Sequence, residues 1–141
     1  AWTDPAPFAP GALGAELLAP TRLYVAPALS ALRAGDLHAA AHITGGGLTE
    51  NLPRVLPEGL GASVDLTAWP LPPVFAWLAV EGGLNEAELL RTFNAGIGMV
   101  LVVPQDRADA VTALVADLEE TVIPLGEVTS GDGVVYHGTL R

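Results

Sequence analysis

The feature that most constrains this fold is a junction. The apolar run Leu37 to Ile43 breaks into three consecutive glycines, Gly45-Gly46-Gly47, and a helix-forming segment follows from Leu48. Glycine lacks a Cβ and supplies φ > 0 without steric cost, so the triplet predicts a tight turn between a buried strand and a helix. The same geometry can hold an anion. N–H groups at a helix N-terminus are unpaired, and the helix dipole favours negative charge there. The loop is neither G-x-x-x-x-G-K-[ST], because no lysine follows, nor G-x-G-x-x-G. Its neighbours favour chemistry: His42, Thr44, Asn51 and Arg54 put donors within reach of one spot. An arginine can hold phosphate bidentately. Spacing alone leaves turn and cradle both open.

The chain of 141 residues fits one domain, with half of its residues hydrophobic. Mean hydropathy is high at +0.43. The longest apolar-rich run, Ala95 to Val103, is nevertheless nine residues with two glycines. A bilayer-spanning helix needs about 20, so no membrane span is expected. No basic segment leads into an apolar one at the start, so no signal peptide is expected. Six basic against 16 acidic residues give a net charge of −10. That excludes an electrostatic footprint for nucleic acid or anionic lipid, and any phosphate must be captured locally. With no cysteine there is no disulfide, thiolate metal site or cysteine nucleophile, which is compatible with a cytoplasmic protein.

Residues 1–12 hold Pro5, Pro7 and Pro10 and read as a Pro-rich linker or arm, with Trp2 and Phe8 available to pack back on the body. Residues 13–141 read as a single domain. A short helix spans Leu13 to Leu18, Thr21 to Ala26 is extended, and Pro27 starts a helix closed by Gly35. Gly61 to Leu66 alternates as a strand with Ala62, Val64 and Leu66 inward. Val74 to Val80 is helical, and Asn85 with Glu88 resembles a capping box for a helix to Phe93. Ala95 to Val103 reads as a central strand covered on both faces. Asp106 caps a helix whose Val111, Leu114, Val115 and Leu118 form one buried stripe. Val122 to Val128 and Val134 to Thr139 read as a hairpin across Ser130-Gly131-Asp132-Gly133. The expected fold class is α+β with α/β-like layering: a mixed β-sheet flanked by helices.

A second polar cluster, Arg91-Thr92-Phe93-Asn94, runs into a strand through Gly96 and Gly98. Glycine in a strand marks either close packing or a ligand approaching the backbone. His38 and His42 share a sheet face by alternation, but no third ligand accompanies them, so no metal site is expected. His137 reads as a surface residue.

At these two clusters the chain resembles aminoimidazole ribonucleotide synthetase, the phosphoribosylformylglycinamidine cyclo-ligase, in its C-terminal half. The first string is Ala41-His42-Ile43-Thr44-Gly45-Gly46-Gly47-Leu48 with Glu50-Asn51-Leu52-Pro53-Arg54-Val55-Leu56-Pro57. The second is Arg91-Thr92-Phe93-Asn94 with Gly96-Ile97-Gly98-Met99-Val100. Pro20-Thr21-Arg22 and Phe75 with Trp77-Leu78 fit as well. Leu89-Leu90 and Ala95 replace the family's usual Met-Tyr or Met-Phe pair and its methionine, all apolar exchanges.

The resemblance implies an ATP-dependent ring closure in de novo purine biosynthesis. Formylglycinamidine ribonucleotide becomes aminoimidazole ribonucleotide, with ADP and phosphate released. It implies ATP and Mg2+ bound mainly by an N-terminal domain that this chain lacks, a homodimer for the whole enzyme, and an inactive isolated fragment. Thr44, Gly45, Gly46, Gly47, Asn51, Arg54, Arg91 and Asn94 are then the phosphate- or substrate-binding candidates, with His42 as the catalytic candidate. The alternatives are another ATP-dependent member of the superfamily or a non-catalytic binding module. The superfamily members in view are the amidotransferase large subunit, selenide water dikinase, thiamine-monophosphate kinase and the hydrogenase-maturation dehydratase.

Overall fold

The computed structural model describes residues 1–141 as two small β-sheets with six α-helices around them. In chain order, α1 is Leu13–Leu17, α2 Val25–Arg33, β1 Ala39–His42, α3 Gly47–Asn51 and β2 Leu60–Asp65. Then come α4 Pro73–Gly82, α5 Glu86–Thr92, β3 Met99–Val102, α6 Ala108–Ala116, β4 Gly126–Ser130 and β5 Val134–His137. The class is α+β with a mixed sheet, as the alternation of elements indicates.

The first sheet pairs β1 antiparallel with β3, in register from Ala39 opposite Val102 to His42 opposite Met99. It lies between two apolar clusters. Ala41, Ile43 and Val100 face the main core, while Leu101 and Val103 pack on Ala31, Val111 and Val115 of α2 and α6. Coverage on both faces follows from the continuous apolar sequence of β3. The expected long central strand is corrected, however. Ala95 and Gly96 take φ of 50° and 98°, and Ile97 N–H bonds Asn94 O at 2.9 Å, so a tight turn replaces the first part of the run. The strand starts only at Met99 and has one neighbour.

The second sheet places β2 in the middle, antiparallel to β4 and parallel to β5. Ala62, Val64 and Leu66 are buried, as period-2 alternation predicts. The expected hairpin is a second correction: β4 and β5 are joined by the predicted turn but do not pair, because β2 lies between them. The turn passes over the start of β2, where Gly131 N–H bonds Gly59 O and Ala62 N–H bonds Gly133 O, both at 2.9 Å. A Cβ on Gly61 would stand 2.6 Å from Gly133 O, so the missing side chain makes the crossing possible.

Helix ends follow local chemistry with three shifts. Helix α2 begins at Val25, two residues before Pro27, so Thr21 to Ala26 is not wholly extended. Proline is tolerated in a first turn, where its missing N–H has no partner to lose. Its end is a Schellman motif: Gly35 has φ 78°, and Asp36 N–H reaches Ala31 O. Asp106 does not cap α6. It sits in a 3-10 turn, Gln105–Arg107, with no side-chain cap bond, and α6 starts at Ala108. Because α6 stops at Ala116, Leu118 is exposed while Val111 and Val115 are buried. Asn85 does cap α5, its Oδ1 accepting from Glu88 N–H at 2.9 Å. Residues 1–12 fold back through bonds such as Ala6 N–H to Gly11 O, and Phe8 packs on Trp77 at 5.1 Å.

Arg107 ties the segment before α6 to the end of α2. Its Nε and Nη2 donate to the two carboxylate oxygens of Asp36 at 2.9 and 2.8 Å. This fork holds the Asp36 carboxyl below the ordinary aspartate value. A folded-state pKa below the unfolded one contributes stability above the unfolded value, and that stability is lost as pH falls through the folded one. Denaturant melts of the parent and Asp36→Asn should therefore differ most at neutral pH and converge below the ordinary aspartate range.

Candidate functional site

The two glycine-bearing strings meet. Strand β1 ends at His42 and delivers Thr44 and Gly45 to the mouth of a cleft of about 220 Å³. The end of α5 supplies Thr92, Phe93 and Asn94, and α4 supplies Phe75. The Phe75 and Phe93 rings lie 5.8 Å apart, so the aromatic part of the lining holds itself together.

The three glycines do different work. Gly47 has φ 56°, and a Cβ there would lie 1.9 Å from Leu90 O and 2.6 Å from Phe93 O. No side chain fits, because the start of α3 packs directly on the end of α5. Gly46 has φ 99° and forms the left-handed entry to α3. Gly45 has neither constraint: its φ is not positive, and a Cβ would meet nothing within 4 Å. Neither turn geometry nor packing requires glycine at the one position of the three that lines the cleft.

Asn51 is buried and turned into the loop. Its Nδ2 lies 2.9 Å from Gly47 O, 3.1 Å from Gly45 O and 3.4 Å from Thr44 O. Its Oδ1 accepts from Arg54 Nη1 at 3.2 Å. Asn51 thus holds the loop by its carbonyls and fixes Arg54 beside it. Gly47 N–H bonds Thr44 O at 2.9 Å, so this amide is already paired, and α3 is only five residues long. The expected row of unpaired N–H groups is correspondingly reduced. The amides of Gly45 and Gly46 donate no hydrogen bond within the chain.

Both candidate arginines converge on one carboxylate. Arg91 Nε donates to Glu50 Oε1 at 2.9 Å, and Arg54 Nη2 reaches Glu50 Oε2 at 3.4 Å. The sequence strings contain Glu50 but assign it no role. Its spacing of four from Arg54 is a readable helix pair, but the link to Arg91, 41 residues away, is not local. Phe75 and Thr92 were likewise quoted in the strings without a role.

Asn94 combines a cleft position with a turn-forming one, its Oδ1 accepting from Gly96 N–H at 3.0 Å. Gly98 is required by Tyr24, whose hydroxyl would stand 1.8 Å from a Cβ there. Tyr24 in turn faces the exposed ring of His42 at 5.8 Å. His42 does not line the cleft. His38 lines a separate apolar groove of about 410 Å³ with Val55, Leu56 and Val102. Thr49, under the loop, donates to Leu90 O at 3.3 Å and meets the Tyr136 hydroxyl at 2.9 Å, whose pKa burial pushes up. No three His, Asp or Glu side chains cluster.

A family model described as AIR synthase related protein, C-terminal domain, matches residues 3–138, and the chain belongs to that family. The fold is shared with thiamine-monophosphate kinase from Stenotrophomonas maltophilia, at 22% identity and a TM-score of 0.62 over 92% of this chain. HypE from E. coli, a hydrogenase maturation protein, matches at 21% identity and 0.63 over 85%. A protein designated tt0281 from Thermus thermophilus matches at 30% identity and 0.57 over 82%. The chain spans only 39%, 40% and 36% of those three chains, respectively. No helix is long and apolar enough to cross a membrane.

The glycines separate into structural and open positions, and substitution should read this directly. Gly47→Ala should cost at least about 2 kcal/mol, from left-handed strain plus a backbone clash. Gly45→Ala should stay within roughly 0.5 kcal/mol of the parent. Urea melts of both variants measure the difference.

Proposed function

We propose that this chain is the C-terminal domain of an ATP-dependent cyclo-ligase that closes the imidazole ring of aminoimidazole ribonucleotide in de novo purine biosynthesis. Residues 13–141 form that domain and residues 1–12 the arm leading into it. One observation carries the reading: the two strings that resemble the cyclo-ligase, 41 to 57 and 91 to 100, line one cleft through Thr44, Gly45 and Thr92 to Asn94.

The chemistry suits the lining. Phosphorylation of an amide oxygen followed by internal attack of a nitrogen requires positioning and charge neutralisation rather than a covalent nucleophile. Gly45, without a side chain, lets a phosphate approach the loop backbone, where the Gly45 and Gly46 amides are free. Arg54 and Arg91 lie outside the cleft lining itself, held beside the loop through Asn51 and Glu50, and supply the positive charge in a chain of net charge −10. Asn94 and Thr92 offer polar contacts to the rest of a ribonucleotide. ATP and Mg2+ belong mainly on an N-terminal domain, as the resemblance to the cyclo-ligase implies. His42, exposed beside Tyr24 and outside the cleft lining, is the candidate for proton handling where a second domain would extend the site. A homodimer and a cytoplasmic location complete the proposal.

Two measurements test it. Calorimetric titration with inorganic phosphate and with the ribonucleotide product should show binding that Arg54→Ala weakens roughly tenfold, the worth of a charge-assisted hydrogen bond. Equal weak binding by both proteins argues against Arg54 as a ligand. The chain alone should release no ADP from ATP with formylglycinamidine ribonucleotide, and adding a cyclo-ligase N-terminal domain should restore turnover. Ring closure by the chain alone would refute the assignment as half of the site.

A further inference from the structure

We propose that Glu50 is an internal anion that occupies Arg54 and Arg91 in the free protein and gives them up to an incoming phosphate group. This rests on the reading that the cleft takes a phosphate, and it names the residue that sets the affinity and charge selectivity of that site. One carboxylate oxygen takes each arginine: Oε1 the Nε of Arg91 at 2.9 Å, Oε2 the Nη2 of Arg54 at 3.4 Å. A tetrahedral phosphate offers the same two-sided arrangement with more oxygens and more charge. Both arginine side chains remain largely exposed, at 62% and 71%, so the exchange needs no unfolding.

The bridge contributes little as a staple. Ion pairs this exposed add little to stability, and α3 and α5 are already held by the packing of Gly47 against Leu90 O and by Thr49. Its position carries the consequence. Glu50 lies against the glycine loop, with Oε2 3.0 Å from where a Gly46 Cβ would stand. Arg54 is coupled to the same loop through Asn51, which grips the loop carbonyls. Arg91 precedes Thr92, which lines the cleft. An anion arriving at the loop therefore meets a negative charge first. It gains the arginines only by outbidding that charge, which favours a dianionic phosphate over a monoanion.

Glu50→Gln keeps the shape and removes the charge. The test is calorimetric titration of the parent and Glu50→Gln with inorganic phosphate and, separately, ribose 5-phosphate, with thermal melts to confirm folding. The expected result is binding roughly threefold to tenfold tighter in Glu50→Gln, the scale of two exposed ion pairs released. Arg91→Ala in the Glu50→Gln background should abolish the gain. A gain with both titrants assigns the site to the phosphate group itself; a gain with ribose 5-phosphate alone assigns it to a sugar phosphate. Both support the exchange. If Glu50→Gln fails to fold, Glu50→Asp, too short to reach both arginines, should show the same direction. Unchanged or weaker binding in the folded variant, while Arg54→Ala still weakens the parent, would overturn the exchange and leave the phosphate cleft standing. No binding by either parent or Glu50→Gln removes the cleft reading and the exchange together.

Discussion

The structure depends on the contact between Gly47 and the carbonyl end of α5. The start of α3 approaches Leu90 O and Phe93 O so closely that only a hydrogen fits at Cα. Without that approach the glycine loop and the Arg91–Asn94 segment would be separate surface features. With it, Leu48 and Leu90 are both fully buried in the main core, each worth about 1.5–3 kcal/mol of burial. Thr49 reaches Leu90 O in the same contact. Thr44 and Gly45 from one segment and Thr92 and Asn94 from the other are thereby brought to one cleft. A packing requirement has built the cleft.

Electrostatics works locally in this molecule. A chain with a net charge of −10 repels anions at a distance, so any anion site needs cations and donors held in place. Asn51 does that holding. Buried, with its amide shared among three loop carbonyls and its oxygen on Arg54, it fixes a loop shape and a guanidinium with one side chain. Glu50 then balances both arginines and leaves the loop amides of Gly45 and Gly46 as the unclaimed donors. A buried polar group as fully satisfied as Asn51 is costly to disturb, whereas the exposed ion pairs of Glu50 are cheap to exchange. The loop is held by a buried, satisfied side chain, and the charges beside it are held by exposed ion pairs.

Legibility in the sequence followed the range of the interaction. Ala62, Val64 and Leu66 were readable as one inward face because strand period is a local property. Asn85 was readable as a cap, and Gly35 as a helix end, for the same reason. The long strand from Ala95 was misread because the left-handed turn falls partly on an alanine, whose φ of 50° no propensity predicts. Trp69 Nε1 bonds Ala95 O at 2.9 Å, a contact across 26 residues that helps hold the turn. The Ser130–Gly133 turn was read correctly as a reversal. That β2 would lie between its two strands was not, because only Gly61, far upstream, makes room for the crossing. The strings contain Thr44, Gly45 and Asn94, which the fold brings to one cleft, while the contacts of Glu50 and the aromatic lining exist only once α3, α4 and α5 are packed together.

By itself the sequence determined the class of the domain, the position and order of nearly all its helices and strands, and the two strings that mark its family. These rest on hydrophobic period, glycine and proline stereochemistry and caps, each set within a few residues. Tertiary structure alone decided that β1 and β3 form a sheet apart from β2, that the three glycines divide into packed, bent and open, and that Arg54 and Arg91 share Glu50. Those outcomes depend on contacts between residues tens of positions apart. The chain closes such contacts only when burial of its apolar faces brings the segments together, and local patterning does not encode which segments will meet.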